Sequence, residues 1–172
     1  YEAARVLMDE TGKAAIIHPT GTGKSFVAFQ LAADNPEKKI LWLSPSEYIY
    51  QTQLENLKKT LTKECLTEEI GFVDVFEEQI QFFTYSKLMM NEDEIENLQP
   101  DFIILDEFHR CGAAEWGRSV KKLLNFYTQA KVLGLSATNI RYLDNCRDMA
   151  EELFDGCIAS QMTLGEAIAR NM

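Results

Sequence analysis

The sequence predicts an α/β fold with one mainly parallel sheet and helices on both faces. Three observations predict it. Four-residue apolar runs recur at 14–17, 40–43, 102–105 and 132–135, and they are continuous rather than alternating, as in strands buried on both sides. Each is followed by a stretch with helical spacing, so strands and helices alternate along the chain. A Gly-rich turn joins the first of these strands to the next helix, a connection typical of open α/β sheets.

Taken in order, residues 2–9 read as a helix stopped by Thr11-Gly12, and Ala14 to Ile17 as a strand. Thr20-Gly21-Thr22-Gly23 turns the chain into a helix over 24–32, closed by Asp34-Asn35-Pro36. Ile40 to Leu43 is the second strand, and Ser44-Pro45-Ser46 leads into a long polar helix over about 47–60. Residues 65–78 fit neither period. The stretch 79–84 is a strand, 85–90 a short helix, and 91–98 a second, acidic one. Phe102 to Leu105 is the clearest strand; a loop with Gly112 and a helix over 116–128 follow it. Val132 to Leu135 is the next strand, before a helix over 140–153 and a weak strand at 157–159. Thr163-Leu164-Gly165-Glu166 has capping-box spacing and starts a last helix.

The chain has 172 residues, with 17 basic and 27 acidic side chains, for a net charge of −10. Its 46% hydrophobic content is that of a globular domain and excludes a disordered chain. A single domain of this length buries a core without disulfide or metal staples. The sequence holds no run approaching the ~18 apolar residues of a membrane span. It opens on Tyr1 without a secretory signal, which reads as a piece of a longer protein. Cys65, Cys111, Cys146 and Cys157 form no CxxC and no zinc spacing with the two histidines, so they read as free thiols of a reducing, cytoplasmic protein. The acidity is concentrated. Residues 61–100 carry ten acids and two bases, which suits a solvated surface set away from any nucleic acid.

Two segments carry chemistry. In His18-Pro19-Thr20-Gly21-Thr22-Gly23-Lys24-Ser25 a strand gives way to a helix through glycines. Such a turn converges backbone N–H groups and a helix N-terminus on phosphate oxygens. Thr20, Gly21, Thr22, Gly23, Lys24 and Ser25 are therefore the candidate phosphate-binding residues. Lys24 reaches the β- and γ-phosphates, and the Ser25 hydroxyl ligates Mg²⁺. His18 stands where the strict GxxxxGK[ST] pattern has its first Gly. The second segment is Asp106-Glu107, at the end of the clearest strand. Ligands of parallel sheets bind at strand carboxyl ends, so Asp106 becomes a second Mg²⁺ anchor and Glu107 the group that orients and deprotonates water.

Asp106-Glu107-Phe108-His109 resembles the DExH form of motif II of superfamily 2 helicases. Residues 19–25 look like the motif I of that superfamily, and Ser136-Ala137-Thr138 like its motif III. Leu43 to Ser46 and Phe83 to Leu88 stand where motifs Ia and Ib fall. The wording of 106–112 and 134–143 is most similar to bacterial DEAD/DEAH-type helicases, including those related to the motor subunits of type I and type III restriction enzymes. The resemblance implies that 1–172 form the first RecA-like, P-loop lobe of an ATP-dependent DNA or RNA helicase or translocase, DNA more than RNA, with ATP and Mg²⁺ as its requirements. It further implies a second RecA-like lobe that supplies catalytic arginines. Lys24, Asp106, Glu107 and His109 take catalytic roles, His109 sensing the γ-phosphate side. Ser136 and Thr138 couple hydrolysis to movement, and Ser46 and Thr84 lie near the nucleic-acid backbone. Asn139 departs from the family, where Pro is common. Two other readings fit the phosphate turn: a different P-loop phosphotransferase, and a non-catalytic nucleotide-binding module.

Overall fold

The computed structural model describes residues 1–19, 23–63, 78–138, 140–141 and 147–170. Six strands form one parallel sheet: β1 (Lys13–Ile17), β2 (Ile40–Ser44), β3 (Ile80–Thr84), β4 (Phe102–Asp106), β5 (Lys131–Ser136) and β8 (Ile158–Gln161), in the spatial order β3-β2-β4-β5-β1-β8. The continuous apolar runs have their expected consequence: β2 and β4 are buried at every position. Side chains alternate across the sheet. Ile16, Ile40, Trp42, Phe102, Ile104 and Leu133 feed one core, and Ile17, Leu41, Leu43, Ile103, Leu105 and Val132 the other.

The first core is covered by α1 (Glu2–Thr11), α2 (Lys24–Asp34) and α3 (Glu47–Lys63). Ala4 and Met8 of α1 are buried at helical spacing, as are Tyr50, Leu54 and Leu57 of α3. Gly12 ends α1 in the left-handed region at φ 80°. Phe29, Trp42, Tyr50 and Phe82 form a continuous aromatic chain, with successive centroids 5.2, 5.3 and 4.4 Å apart. The second core is covered by α4 (Tyr85–Met90), α5 (Ile95–Leu98), α6 (Ala114–Phe126) and α7 (Met149–Phe154). The helix α8 (Leu164–Ala169) begins at Thr163 with the capping box its spacing predicts.

Four expectations are corrected. Residues 140–153 do not form one helix. Ile140–Arg141 (β6) and Arg147–Asp148 (β7) make a short antiparallel ladder, and α7 starts only at Met149. The local cause is Asp148, whose carboxylate accepts from the N–H groups of Ala150 and Glu151 and so fixes the helix start there. Residues 91–98 divide into a 3₁₀ turn, Glu92–Glu94, and the one-turn α5, ended by Gln99 at φ 44°. The loop carrying Gly112 is a 3₁₀ turn over Phe108–Gly112, and α6 runs over Ala114–Phe126 rather than 116–128. The last strand continues to Gln161, because it pairs with β1 as far as Ile17. The stretch 65–77 of the unassigned region lies outside the described residues, as do Thr20, Gly21, Thr22 and Asn139.

Candidate active site

All six strands are parallel, so their carboxyl ends share one edge of the sheet. Register places Ser44 beside Thr84, Asp106 beside Leu135, and Ser136 beside Ile17. The turn after β1, the Asp106-Glu107 pair and Ser136 therefore stand on three adjacent strands. Thr84 and Ser44 occupy the same edge beyond β4.

Gly23, at φ 80°, is the residue before α2, and Lys24 and Ser25 are the first two residues of the helix. The left-handed backbone there is one a glycine adopts without strain. The Lys24 ammonium is not free. It donates to the backbone carbonyls of His18 at 2.7 Å and Pro19 at 3.2 Å. Burial lowers its pKa, and the carboxylates of Glu107 and Asp106 oppose that shift. The cation is thus coupled electrostatically to both acids.

Asp106 is 2% exposed and continues the face of Phe102 and Ile104, which is the face covered by α2 and α3. Gln53 of α3 donates to its Oδ2 at 3.2 Å, and the fully buried Tyr85 donates from the other side to its backbone carbonyl at 2.7 Å. Burial raises the carboxyl to about 6, with Glu107 adding to the shift and Gln53 opposing it. The indole N–H of Trp42 lies close enough to favour the carboxylate without hydrogen-bond geometry, and it has no partner of its own. The Glu107 backbone N–H also favours the carboxylate, but burial outweighs all three donors, so a cation would stabilise the charge.

Glu107 has left-handed backbone angles, φ 52° and ψ 45°, uncommon for a residue with a side chain. The turn redirects the chain, so that Phe108 plugs the core at 0% exposure while Glu107 and His109 stay partly accessible. His109 Nδ1 lies 2.7 Å from Ser136 Oγ and 3.5 Å from Glu107 Oε2. Ser136 Oγ also donates to Thr138 O at 2.6 Å and accepts from Thr138 N–H. Ser136 Oγ thus links the His109 ring to the Thr138 main chain. Residues 109, 136 and 138 form one hydrogen-bonded group, and Glu107 lies at ion-pair distance from its histidine.

Ser46 and Thr84 stand apart from this group. Ser46 Oγ accepts from Tyr48 N–H at the start of α3, and Thr84 Oγ1 accepts from Lys87 N–H to cap α4. Three residues missed in the sequence complete the surroundings of Asp106: Trp42, Gln53 and Tyr85. Trp42 and Tyr85 look like core residues and Gln53 like a helix-surface residue, and nothing in their spacing signals a common target.

Among the described residues no cluster of three or more His, Cys, Asp and Glu side chains could hold a metal by itself. Asp106 suits Mg²⁺ nonetheless. That ion keeps most of its shell as water and substrate phosphate and needs only one or two protein oxygens, and Asp106 is a buried carboxylate in want of a cation.

Residues 2–141 match the family described as the type III restriction enzyme, res subunit. The chain belongs to that family. The domain is a superfamily 2, DExH-type helicase-like domain with the architecture of a RecA-like motor lobe. Among solved structures it is similar to the helicase domain of Hef from Pyrococcus furiosus, with a TM-score of 0.59 and 20% identity over 92% of this chain. At that identity the likeness is one of fold. The chain spans 37% of the length of the Hef structure. Comparison with curated proteins gives no match. No described helix is long and apolar enough to cross a membrane.

Proposed function

We propose that this domain is the first, ATP-binding lobe of an ATP-dependent motor acting on nucleic acid, DNA more than RNA, in a restriction-type system. The single observation that carries the reading is the convergence of the Lys24 turn, Asp106-Glu107 and the His109–Ser136 pair on adjacent strand ends. Family membership supports a nucleic-acid-associated ATPase. The residue roles, the DNA preference and the restriction setting go beyond it.

In this reading residues 20–25 receive the triphosphate. Lys24 exchanges the carbonyls of His18 and Pro19 for phosphate oxygens, so its positive charge comes to bear on the reacting phosphoryl group. Mg²⁺ held by Ser25 and Asp106 would neutralise charge on the β- and γ-oxygens. Gln53 keeps Asp106 oriented, and Tyr85 holds the end of its strand. Glu107 aligns the attacking water and accepts its proton. His109, fixed by Ser136, lies beside Glu107 and transmits the state of the γ-phosphate to residues 136–138. A second lobe completes the site with arginine, a contribution of roughly 10³–10⁵ in rate in phosphoryl-transfer enzymes that use one. Ser46 and Thr84 face nucleic acid only through the ends of β2 and β3, and both already act as helix caps.

The test is ATP hydrolysis by the full-length protein with and without single-stranded and duplex DNA or RNA. DNA-stimulated phosphate release that disappears in Glu107→Gln is the expected result. Turnover indifferent to nucleic acid would point to a P-loop phosphotransferase. Nucleotide binding without turnover under any condition would point to a non-catalytic module.

A further inference from the structure

We infer that His18, which departs from the usual small residue of its motif, is a positioning residue that bolts the root of the phosphate turn to the edge strand β8. This rests on the reading of that turn as the ATP site. Backbone pairing between β1 and β8 runs only as far as Ile17, opposite Gln161, and Met162 N–H then closes onto the Ile17 carbonyl. The His18 side chain adds a further tie between the two strands, its Nε2 lying 2.7 Å from Ser160 Oγ. On its other side the His18 backbone N–H donates to the Ser136 carbonyl at 3.0 Å. Residue 18 is therefore gripped by β5 through its main chain and by β8 through its ring.

The consequence falls on Lys24. The ammonium rests on the His18 carbonyl at 2.7 Å and on the Pro19 carbonyl at 3.2 Å. Where residue 18 is held decides where those carbonyls lie, and hence where the cation waits before it meets phosphate. A small side chain could make no tie to Ser160, and the root of the turn would keep only its β5 contact. The ring is suited to a passive role. Burial, Lys24 and Arg170 all hold its pKa below the usual histidine range, so at neutral pH it adds no charge beside the ammonium. With the root fixed, less conformational freedom is lost when phosphate arrives.

The test is calorimetric titration of Mg·ADP into the wild-type protein, His18→Ala, Ser160→Ala, the double variant and His18→Gln. The Gln amide nitrogen can stand where the imidazole Nε2 does. His18→Ala and Ser160→Ala should each weaken binding by roughly three- to ten-fold, the loss of one partly buried hydrogen bond. The double variant should be no weaker than either single one, and His18→Gln should bind as the wild type does. Ser160 lies on a half-exposed edge strand, so its variant keeps the test open if His18→Ala fails to fold. Unchanged affinity in Ser160→Ala, additive losses in the double variant, or tighter binding on removal of the ring would each overturn the inference. Wild-type protein that fails to bind Mg·ADP would instead sink the ATP-site reading beneath it.

Discussion

The turns after β1 and β4 end neighbouring regions of one sheet edge and are held in different ways. The root of the first is held by polar contacts: Lys24 on two backbone carbonyls, and His18 between Ser136 and Ser160. The second adds to its polar contacts an apolar plug that the first lacks among the described residues. Phe108 is fully buried edge-to-face against Phe154, with centroids 5.0 Å apart, and Gly134 of β5 leaves the room both rings occupy. Polar contacts can be exchanged for equivalent ones at little net cost, whereas an apolar plug cannot move without opening a cavity. The first turn is suited to a cation that must change partners, and the second to a carboxylate that must already be in place.

The largest effect that would sharpen this contrast is on turnover. Glu107→Gln keeps the shape of the rigid turn and removes its base, so ATP hydrolysis in the full-length protein should fall by roughly 10²–10⁴. Mg·ATP affinity, read by calorimetry, should stay within a few-fold. A parallel loss of affinity would mean that the second turn is not preformed.

Asp106 gives the next effect. Its folded pKa of about 6 lies above the ordinary 3.8, so the folded state holds the proton longer than the unfolded one. Stability of the metal-free chain should therefore fall as pH rises from about 4 to about 6 and level off above. The total is on the order of 3 kcal/mol. Asp106→Asn should flatten that dependence and be the more stable form at pH 7, as urea unfolding in the presence of a chelator would reveal. An equally steep profile in the Asn variant would move the strain elsewhere.

For the polar turn, Lys24→Ala should weaken Mg·ATP binding by roughly 10- to 100-fold, as loss of a charge-assisted hydrogen bond does, while leaving the unfolding midpoint nearly unchanged. Gly134→Ala asks the converse of the apolar turn. An added Cβ would lie 2.7 Å from Phe154 Cε2 and 2.9 Å from Phe108 Cδ1. Destabilisation of about 1–3 kcal/mol is expected from such overpacking, together with lower turnover as Phe108 is displaced. Unfolding and ATPase measured on one preparation would separate the two turns. If Lys24→Ala lowered stability as much as Gly134→Ala, the contrast would fail.

Legibility in the sequence follows the same division. The apolar runs at 14–17, 40–43, 102–105 and 132–135 read as strands because burial on both faces leaves no room for polar residues. The capping box at Thr163 read as a helix start because its signal is local. The ladder at 140–148 did not, since the helical spacing of 140–153 ran past Asp148, where the cap is made. Lys24, Asp106 and Glu107 were legible as candidates because phosphate and Mg²⁺ chemistry restricts the residue types that can serve it, and the structure brings them to nearby strand ends. His18 stood out only as an irregularity. Gln53, Trp42 and Tyr85 were hidden, because their meeting at Asp106 depends on sheet register and on how α3 and α4 pack, and neither is written in any one segment.

The placement of Trp42 has an optical consequence. The chain contains two tryptophans, Trp42 and Trp116. Trp42 is fully buried beside the Asp106 carboxylate, on the face shared with α2 and α3. Trp116 lies on the opposite face, stacked on Tyr85 at 5.5 Å, and the Tyr85 hydroxyl holds the Asp106 carbonyl. Both indoles are thus within one side chain of the same residue, one sensing the charge on its carboxylate and the other the position of its backbone. An indole's emission responds to the electric field across its ring. The native fluorescence of this domain should accordingly respond to a change of charge at the Asp106 carboxylate, with Trp42 as the nearer probe and Trp116 as the one coupled through Tyr85.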